Sequence, residues 1–200
     1  MPKLLEIPIF PLRTVLYPGG LLPLRIFEAR YVDMTKHCIG EDEPFGVCLI
    51  VEGSEVGAPA VPATVGCTAR ISEWDVPSPG LFTLQTRGEQ PFKIRERFST
   101  PSGLIRALVQ LEDAPPAELL PVRYRFLRDL LEEVIGKIGV QHFPDPLHLS
   151  DAAWVAYRLA EVLPLEAEAK LELLVQRDPA AMLALIAEKV RYRPSESSDS

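Results

Sequence analysis

Apolar residues recur along this chain with two different periods. From Leu4 to about Asp113 they fall in short runs, mostly alternating with polar residues, and the separators are rich in Gly, Pro and Ser. From Leu119 onward they recur every three or four residues. The first pattern predicts strands and the second amphipathic helices. In the first half, Pro44–Glu52, Gly66–Trp74, Leu81–Arg87 and Ile105–Glu112 read as strands. Gly88-Glu89-Gln90 reads as a turn into a further strand, Phe92–Phe98, with Phe92, Ile94 and Phe98 on one face and Lys93, Arg95 and Arg97 on the other. One helix interrupts the set, from Glu28 to Ile39, placing Tyr31, Met34 and Cys38 near one face. Several short strands with turn-rich separators predict a barrel or sandwich.

The block from Ile7 to Tyr31 is apolar but punctuated by Pro8, Pro11, Pro18 and Pro23. Proline has no N–H to give a sheet ladder and fixes its own φ. The expectation is therefore short edge strands broken by bulges and turns, not a central strand. Pro18-Gly19-Gly20 reads as a turn.

Ala114-Pro115-Pro116-Ala117 marks the change of period. Leu119, Val122, Phe126, Leu127, Leu130, Leu131, Val134, Ile135 and Ile138 predict one long helix that Gly136 and Gly139 end or fray. Gly139–Leu149 reads as a loop. Ser150 is placed to cap a helix through Trp154, Leu159 and Val162 that Pro164 stops. Leu165–Val175 predicts a short helix. Asp178-Pro179 sets a cap and a first-turn proline for a helix from Ala180 to about Tyr192. The organisation expected is a β-rich unit over residues 1–113, a helical bundle over 118–193 packed on it, and a disordered polar tail over 194–200.

Composition adds few constraints. The apolar fraction of 47% and charged fraction of 24% suit a globular protein with a sizeable core. The net charge of −7, with Arg scattered, argues against a nucleic-acid or anionic-membrane partner, which needs clustered cations. No run approaches the length of a membrane span, and no secretory leader pattern opens the chain. Three widely spaced cysteines, Cys38, Cys48 and Cys67, favour buried thiols in a reducing, cytoplasmic setting over a disulfide framework or zinc site.

No residue pattern in the chain rises to an active site. Neither a phosphate-binding Gly-x-x-x-x-Gly-Lys-Ser/Thr loop nor a Gly-x-Gly-x-x-Gly fingerprint is present. His142 and His148 flank Asp145 in a proline-rich loop too loosely spaced for a metal site. His37 and Cys38 are adjacent, but neighbours on a helix point about 100° apart and do not form a dyad. Glu41-Asp42-Glu43 reads as a solvated loop. Phe27 and Tyr31, four residues apart, fit either an exposed ridge or an anchor in the core, and the core is favoured.

The opening block carries a resemblance. Pro8-Ile-Phe-Pro-Leu-Arg13, Val15-Leu-Tyr-Pro-Gly-Gly20 and Leu22-Pro-Leu-Arg-Ile-Phe-Glu-Ala-Arg-Tyr31 resemble the start of the Lon protease N-terminal, or substrate-binding, domain, in its stand-alone bacterial form. Phe45-Gly-Val-Cys-Leu-Ile50, Val65-Gly-Cys-Thr-Ala-Arg-Ile71 and Gly88-Glu-Gln-Pro-Phe-Lys-Ile94 continue the likeness in order, with Pro91 where the family usually has Arg. Leu163–Lys170 and Leu173–Asp178 resemble its later, helical region, so the likeness spans about Leu4 to Arg193.

The resemblance implies an α+β fold, a PUA-like β pseudo-barrel with one inserted helix followed by a C-terminal helical bundle. It also implies a non-catalytic module that binds polypeptide substrates, with no cofactor; nucleic-acid binding, which a PUA-like fold would suggest, is opposed by the charge of −7, and no membrane partner is expected. What transfers from a shared fold is a protein-binding role, not proteolysis. Tyr17, Arg25, Phe27 and Tyr31 are the candidate protein-binding residues. An adaptor docking on a protease or ligase is the alternative. A small hydrolase built on Cys38 or on His142 and His148 is the less favoured third reading.

Overall fold

The computed structural model describes residues 3–58 and 60–191. The tail expected over 194–200 lies outside the described residues. The chain divides into two compact units, Met1–Ala114 with Gln141–Asp145, and Pro115–Val140 with Pro146–Ser200.

The first unit is built on six strands: β1 (Leu4–Leu12), β2 (Leu21–Ile26), β3 (Phe45–Glu52), β4 (Val61–Ser78), β5 (Leu81–Ser99) and β6 (Ile105–Leu111), with α1 (Ala29–Glu41) between β2 and β3. The mixed sheet runs β2-β5-β4-β3-β1-β6, and β5 also pairs β6, so five strands close into a ring and β2 hangs on β5. Closure encloses an apolar interior, where Ile7, Ile9, Cys48, Phe92, Ala107 and Val109 are all buried. Gly46 and Gly66 make room for the Phe92 ring. A Cβ on Gly46 would stand 2.8 Å from Phe92 Cζ, and one on Gly66 2.6 Å from the same atom.

Three strand expectations change. First, β1 is not an edge strand. It pairs β6 over Leu4–Ile9 and β3 over Ile9–Leu12, and the two ladders overlap at Ile9 alone. Pro8 thus has β3's side vacant and Pro11 has β6's side vacant, which is how proline enters an interior strand. Second, Gly88-Glu89-Gln90 is not a turn. β5 runs through it, with a register shift opposite Thr68, where Cys67 pairs Pro91 and Ala69 pairs Gly88. The buried Thr68 hydroxyl donates to the Gln90 carbonyl at 3.3 Å and accepts from its N–H at 3.0 Å, satisfying the backbone at the bulge. There β5 changes partner from β2 to β6. Third, Phe92, Ile94 and Phe98 do not share a face. A second bulge between Ile94 and Glu96 reverses the alternation. Phe92 is buried and Phe98 is 46% exposed.

The second unit contains α2 (Arg125–Ile138), α3 (Ala152–Val162), α4 (Ala167–Val175) and α5 (Pro179–Arg191). The expected long helix starts later than Leu119. Pro121 is extended (ψ 144°), a 3-10 turn covers Val122–Tyr124, and Leu119 is 83% exposed. α2 buries Leu127, Leu131 and Ile135 and ends before Gly139 at φ 99°. The cap of α3 is Asp151, not Ser150: its carboxylate accepts from the Trp154 N–H at 2.7 Å. α3 is buried on nearly every side and packs with α2, α4 and α5. Asp178 accepts from the Ala180 N–H at 2.9 Å and so caps α5, as its sequence predicts.

Candidate functional site: an aromatic-floored recess beside a free strand edge

The recess lies in the first unit, where β1 and β2 approach without pairing. Phe10 and Leu12 of β1 line it together with residues 23–26 of β2. Phe27, Glu28 and Tyr31 line it as well, with Glu55 and Val56 of the loop after β3. Its volume is about 170 Å³.

The floor is aromatic. The Phe10 and Tyr31 rings lie 4.2 Å apart, tilted by 36°, and Phe45 stands 6.3 Å from Phe10. Tyr31 is 5% exposed, and burial pushes its hydroxyl above the usual tyrosine value, against the opposing pull of the Arg30 guanidinium. Phe27, four residues earlier and outside α1, is 59% exposed, and Val56, which also lines the recess, is 57% exposed. Two apolar side chains are thus displayed at the mouth of an apolar hollow.

Arg30 organises the walls. Its guanidinium is buried, sits 4.8 Å from the Tyr31 ring centroid and pairs with the Glu28 carboxylate at 2.9 Å. It also donates to the carbonyls of Gly57, at 2.8 Å, and Gly103, at 3.3 Å. The Glu55 carboxylate accepts from the Arg13 backbone N–H at 2.6 Å. The 55–57 loop is therefore tied at both ends to the elements that frame the recess.

The four candidate residues separate. Arg25, Phe27 and Tyr31 line the recess, Tyr31 as floor and Phe27 as rim. Arg25 shares its face with its β5 partner Thr83, which in turn pairs Asp75 of β4. Tyr17 is 1% exposed and does not line it; its carbonyl accepts from the Gly20 N–H at 2.9 Å in the turn that backs onto Gly88. Phe10, Leu12, Glu55 and Val56 carry no sequence signal for the site, because the fold alone brings β1 and the β3 loop beside β2.

Elsewhere the reactive groups are quiet. Burial raises the Cys38 thiol to about 11, with the Glu43 charge adding to the effect, and burial raises Cys48 further. His37 Nε2 lies 3.4 Å from the Glu43 carboxylate. Among the described residues no three His, Cys, Asp or Glu side chains are grouped to hold a metal. No helix among them is long and apolar enough to cross a membrane.

Comparison with known families decides the assignment. Residues 6–191 match the family model of the ATP-dependent protease La (LON) substrate-binding domain. The chain belongs to the Lon substrate-binding domain family. A Lon N-terminal domain protein from Xanthomonas campestris has a crystal structure similar to this one, with a TM-score of 0.76 and 33% identity over 95% of this chain and 99% of that one. The N-terminal domain of Mycobacterium avium complex Lon protease shares the fold, with a TM-score of 0.62 at 16% identity over 94% of this chain and 100% of that one. No curated protein matches the chain.

Proposed function

We propose that this protein is a non-catalytic module that binds polypeptides, with the Phe27 recess as the contact region. The observation that carries the reading is an open apolar hollow with an aromatic floor, rimmed by the exposed Phe27, in a member of a substrate-binding domain family. A cavity of about 150 Å³ is enough to hold a benzene ring. A hollow of about 170 Å³ therefore takes one large apolar side chain.

The thiols support a role without cysteine chemistry. A nucleophilic cysteine needs a depressed value and partial exposure. Cys38 and Cys48 are buried and shifted the other way. The buried free thiols also support a reducing location such as the cytoplasm. The PUA-like label and a helical bundle remain the reading that the family resemblance supports for the two units.

The test is a fluorescence-anisotropy titration with labelled, reduced and carboxymethylated α-lactalbumin, a polypeptide that cannot fold. Saturable binding by the wild type, weakened at least tenfold by Phe27→Ser, is expected. A wild type that does not bind the probe ends the proposal.

A further inference from the structure

The recess is bounded by a strand whose outer edge pairs with no other strand among the described residues, and the register shows which groups that edge presents. Among the described residues β2 pairs β5 alone, residue for residue from Leu21 with Arg87 to Ile26 with Phe82. Just before it, the Gly88 N–H donates to the Gly20 carbonyl at 2.9 Å. In an antiparallel pair, bonded and non-bonded positions alternate. Counting from Gly20, the backbones of Leu22, Leu24 and Ile26 bond to β5. Those of Leu21, Pro23 and Arg25 turn outward. Two independent facts agree with this phase. The Leu22 carbonyl also accepts from the Thr86 hydroxyl on the β5 side, at 2.7 Å. Pro23 also falls at an outward position, where its missing N–H takes nothing from the β5 ladder.

We infer that the outward backbone of β2, centred on Arg25, receives an extended segment of the bound polypeptide as an added strand. This rests on the polypeptide-binding reading above and specifies how that site works. Across Pro23–Arg25 the edge offers two acceptors, the carbonyls of Pro23 and Arg25, and one donor, the Arg25 N–H. Only an extended backbone matches alternating donors and acceptors at strand spacing. An incoming residue opposite Arg25 shares its solvent face, and the residues on either side turn toward the face of Leu24 and Ile26 and so toward the recess. The ligand class is thus an extended segment with a large apolar side chain next to a polar one. A proline and a charged side chain on an edge also discourage long, indiscriminate pairing. Here they confine the usable edge to the few residues beside the recess.

The experiment uses the full chain and the same labelled probe. Arg25→Pro removes the outward donor beside the recess by the device that the chain already uses at Pro23, and spares the β5 ladder. Arg25→Ala keeps the donor and removes the side chain. The expected result is a loss of at least tenfold in probe affinity for Arg25→Pro, with unchanged circular dichroism, and less than threefold for Arg25→Ala. Equal binding by a folded Arg25→Pro overturns the added strand while leaving polypeptide binding intact, and so does an equal loss in both variants. Should Arg25→Pro fail to fold, hydrogen exchange on the wild type decides. The Arg25 amide slows when the probe binds if the strand is added, and unchanged exchange overturns it. A probe-free wild type that dimerises through this edge, shown by light scattering with and without Arg25→Pro, makes a second copy the occupant and also overturns the assignment. A wild type that does not bind the probe removes both readings.

Discussion

The guanidinium of Arg30 and the carbonyl of Gly57 are joined by a 2.8 Å hydrogen bond that fastens a loop wall of the recess to α1. The same group serves Gly103 and the Glu28 carboxylate, so one buried cation holds three segments distant in sequence. Removing it leaves Glu28 without its partner and releases two carbonyls. Breaking a buried, hydrogen-bonded charge pair costs about 3–5 kcal/mol. Arg30→Met is expected to lose somewhat less, about 2–4 kcal/mol, because Glu28 keeps partial solvent access. Urea unfolding measures the loss. Hydrogen exchange should show faster amides at residues 55–57 in the same variant. A loop that exchanges as in the wild type would mean that Arg30 does not hold the wall.

Phe27 and Phe10 touch the same hollow and should respond in opposite ways. Phe27 is 59% exposed, so Phe27→Ala should change stability by no more than about 0.5 kcal/mol. Its loss should show in polypeptide affinity. Phe10 is 7% exposed and stacks on Tyr31. Phe10→Ala should lower stability by about 3–5 kcal/mol. Paired unfolding and binding titrations separate the two. A Phe27 variant as unstable as the Phe10 variant would place Phe27 in the core and end its assignment as a binding residue.

These contrasts show what the sequence can and cannot carry. The Asp178 cap with Pro179 behind it is legible because a cap is made by residues within three positions. The strand, helix and period changes are legible for the same local reason. Gly88 misleads because its role is set by partners far along the chain. The 17–20 turn packs where its Cβ would stand, and Thr68 satisfies the adjacent bulge. Asp42, at φ 52°, is another such position: Arg70 donates to both its carbonyl and its carboxylate. Phe27 and Tyr31 are indistinguishable by spacing. What separates them is Phe10, which covers one ring and not the other, and that neighbour comes from β1. Of the candidate site, Arg25, Phe27 and Tyr31 were readable from the end of the apolar, proline-broken motif. Phe10, Leu12 and the 55–56 loop join them only once the ring of strands closes.

The two glycines that face Phe92 differ in what crowds them, and this predicts a selective rescue. The atoms nearest a Cβ at Gly46 belong to side chains, Ile9 Cδ1 at 2.7 Å and Phe92 Cζ at 2.8 Å. A Cβ at Gly66 would also strike the Val47 carbonyl, which the ladder fixes. Overpacking of this kind costs about 1–3 kcal/mol where side chains can shift, and more where they cannot. Gly46→Ala should therefore lose about 1–3 kcal/mol and recover part of it when combined with Phe92→Leu. Gly66→Ala should lose at least about 3 kcal/mol and recover nothing from the same second change. A double-mutant cycle in urea measures the two coupling energies. Equal rescue of both would refute the distinction between a movable ring and a fixed carbonyl.

Glu161 gives the second unit a pH dependence of unusual sign for a carboxylate in an ion pair. It lies 2.8 Å from Arg158, a fully buried cation beside the Trp154 ring. Burial nevertheless raises its carboxyl from 4.5 to about 7, outweighing the opposing attraction of Arg158 and Lys170. The folded state therefore holds this proton more tightly than the unfolded chain. Its contribution to stability is fully present below about pH 4.5 and is lost as pH rises toward 7. Between those values the slope contributed by one proton is at most about 1.4 kcal/mol per pH unit. Glu161→Gln imitates the protonated acid. It should flatten the fall in stability between pH 5 and 7.5 by an amount of that order, and should leave the variant the more stable of the two at pH 8. Urea unfolding across that pH range, with carbon NMR of the Glu161 carboxyl to fix its titration, is the measurement. An unchanged slope in Glu161→Gln, or a carboxyl titrating near 4, would assign the ion pair its ordinary sign.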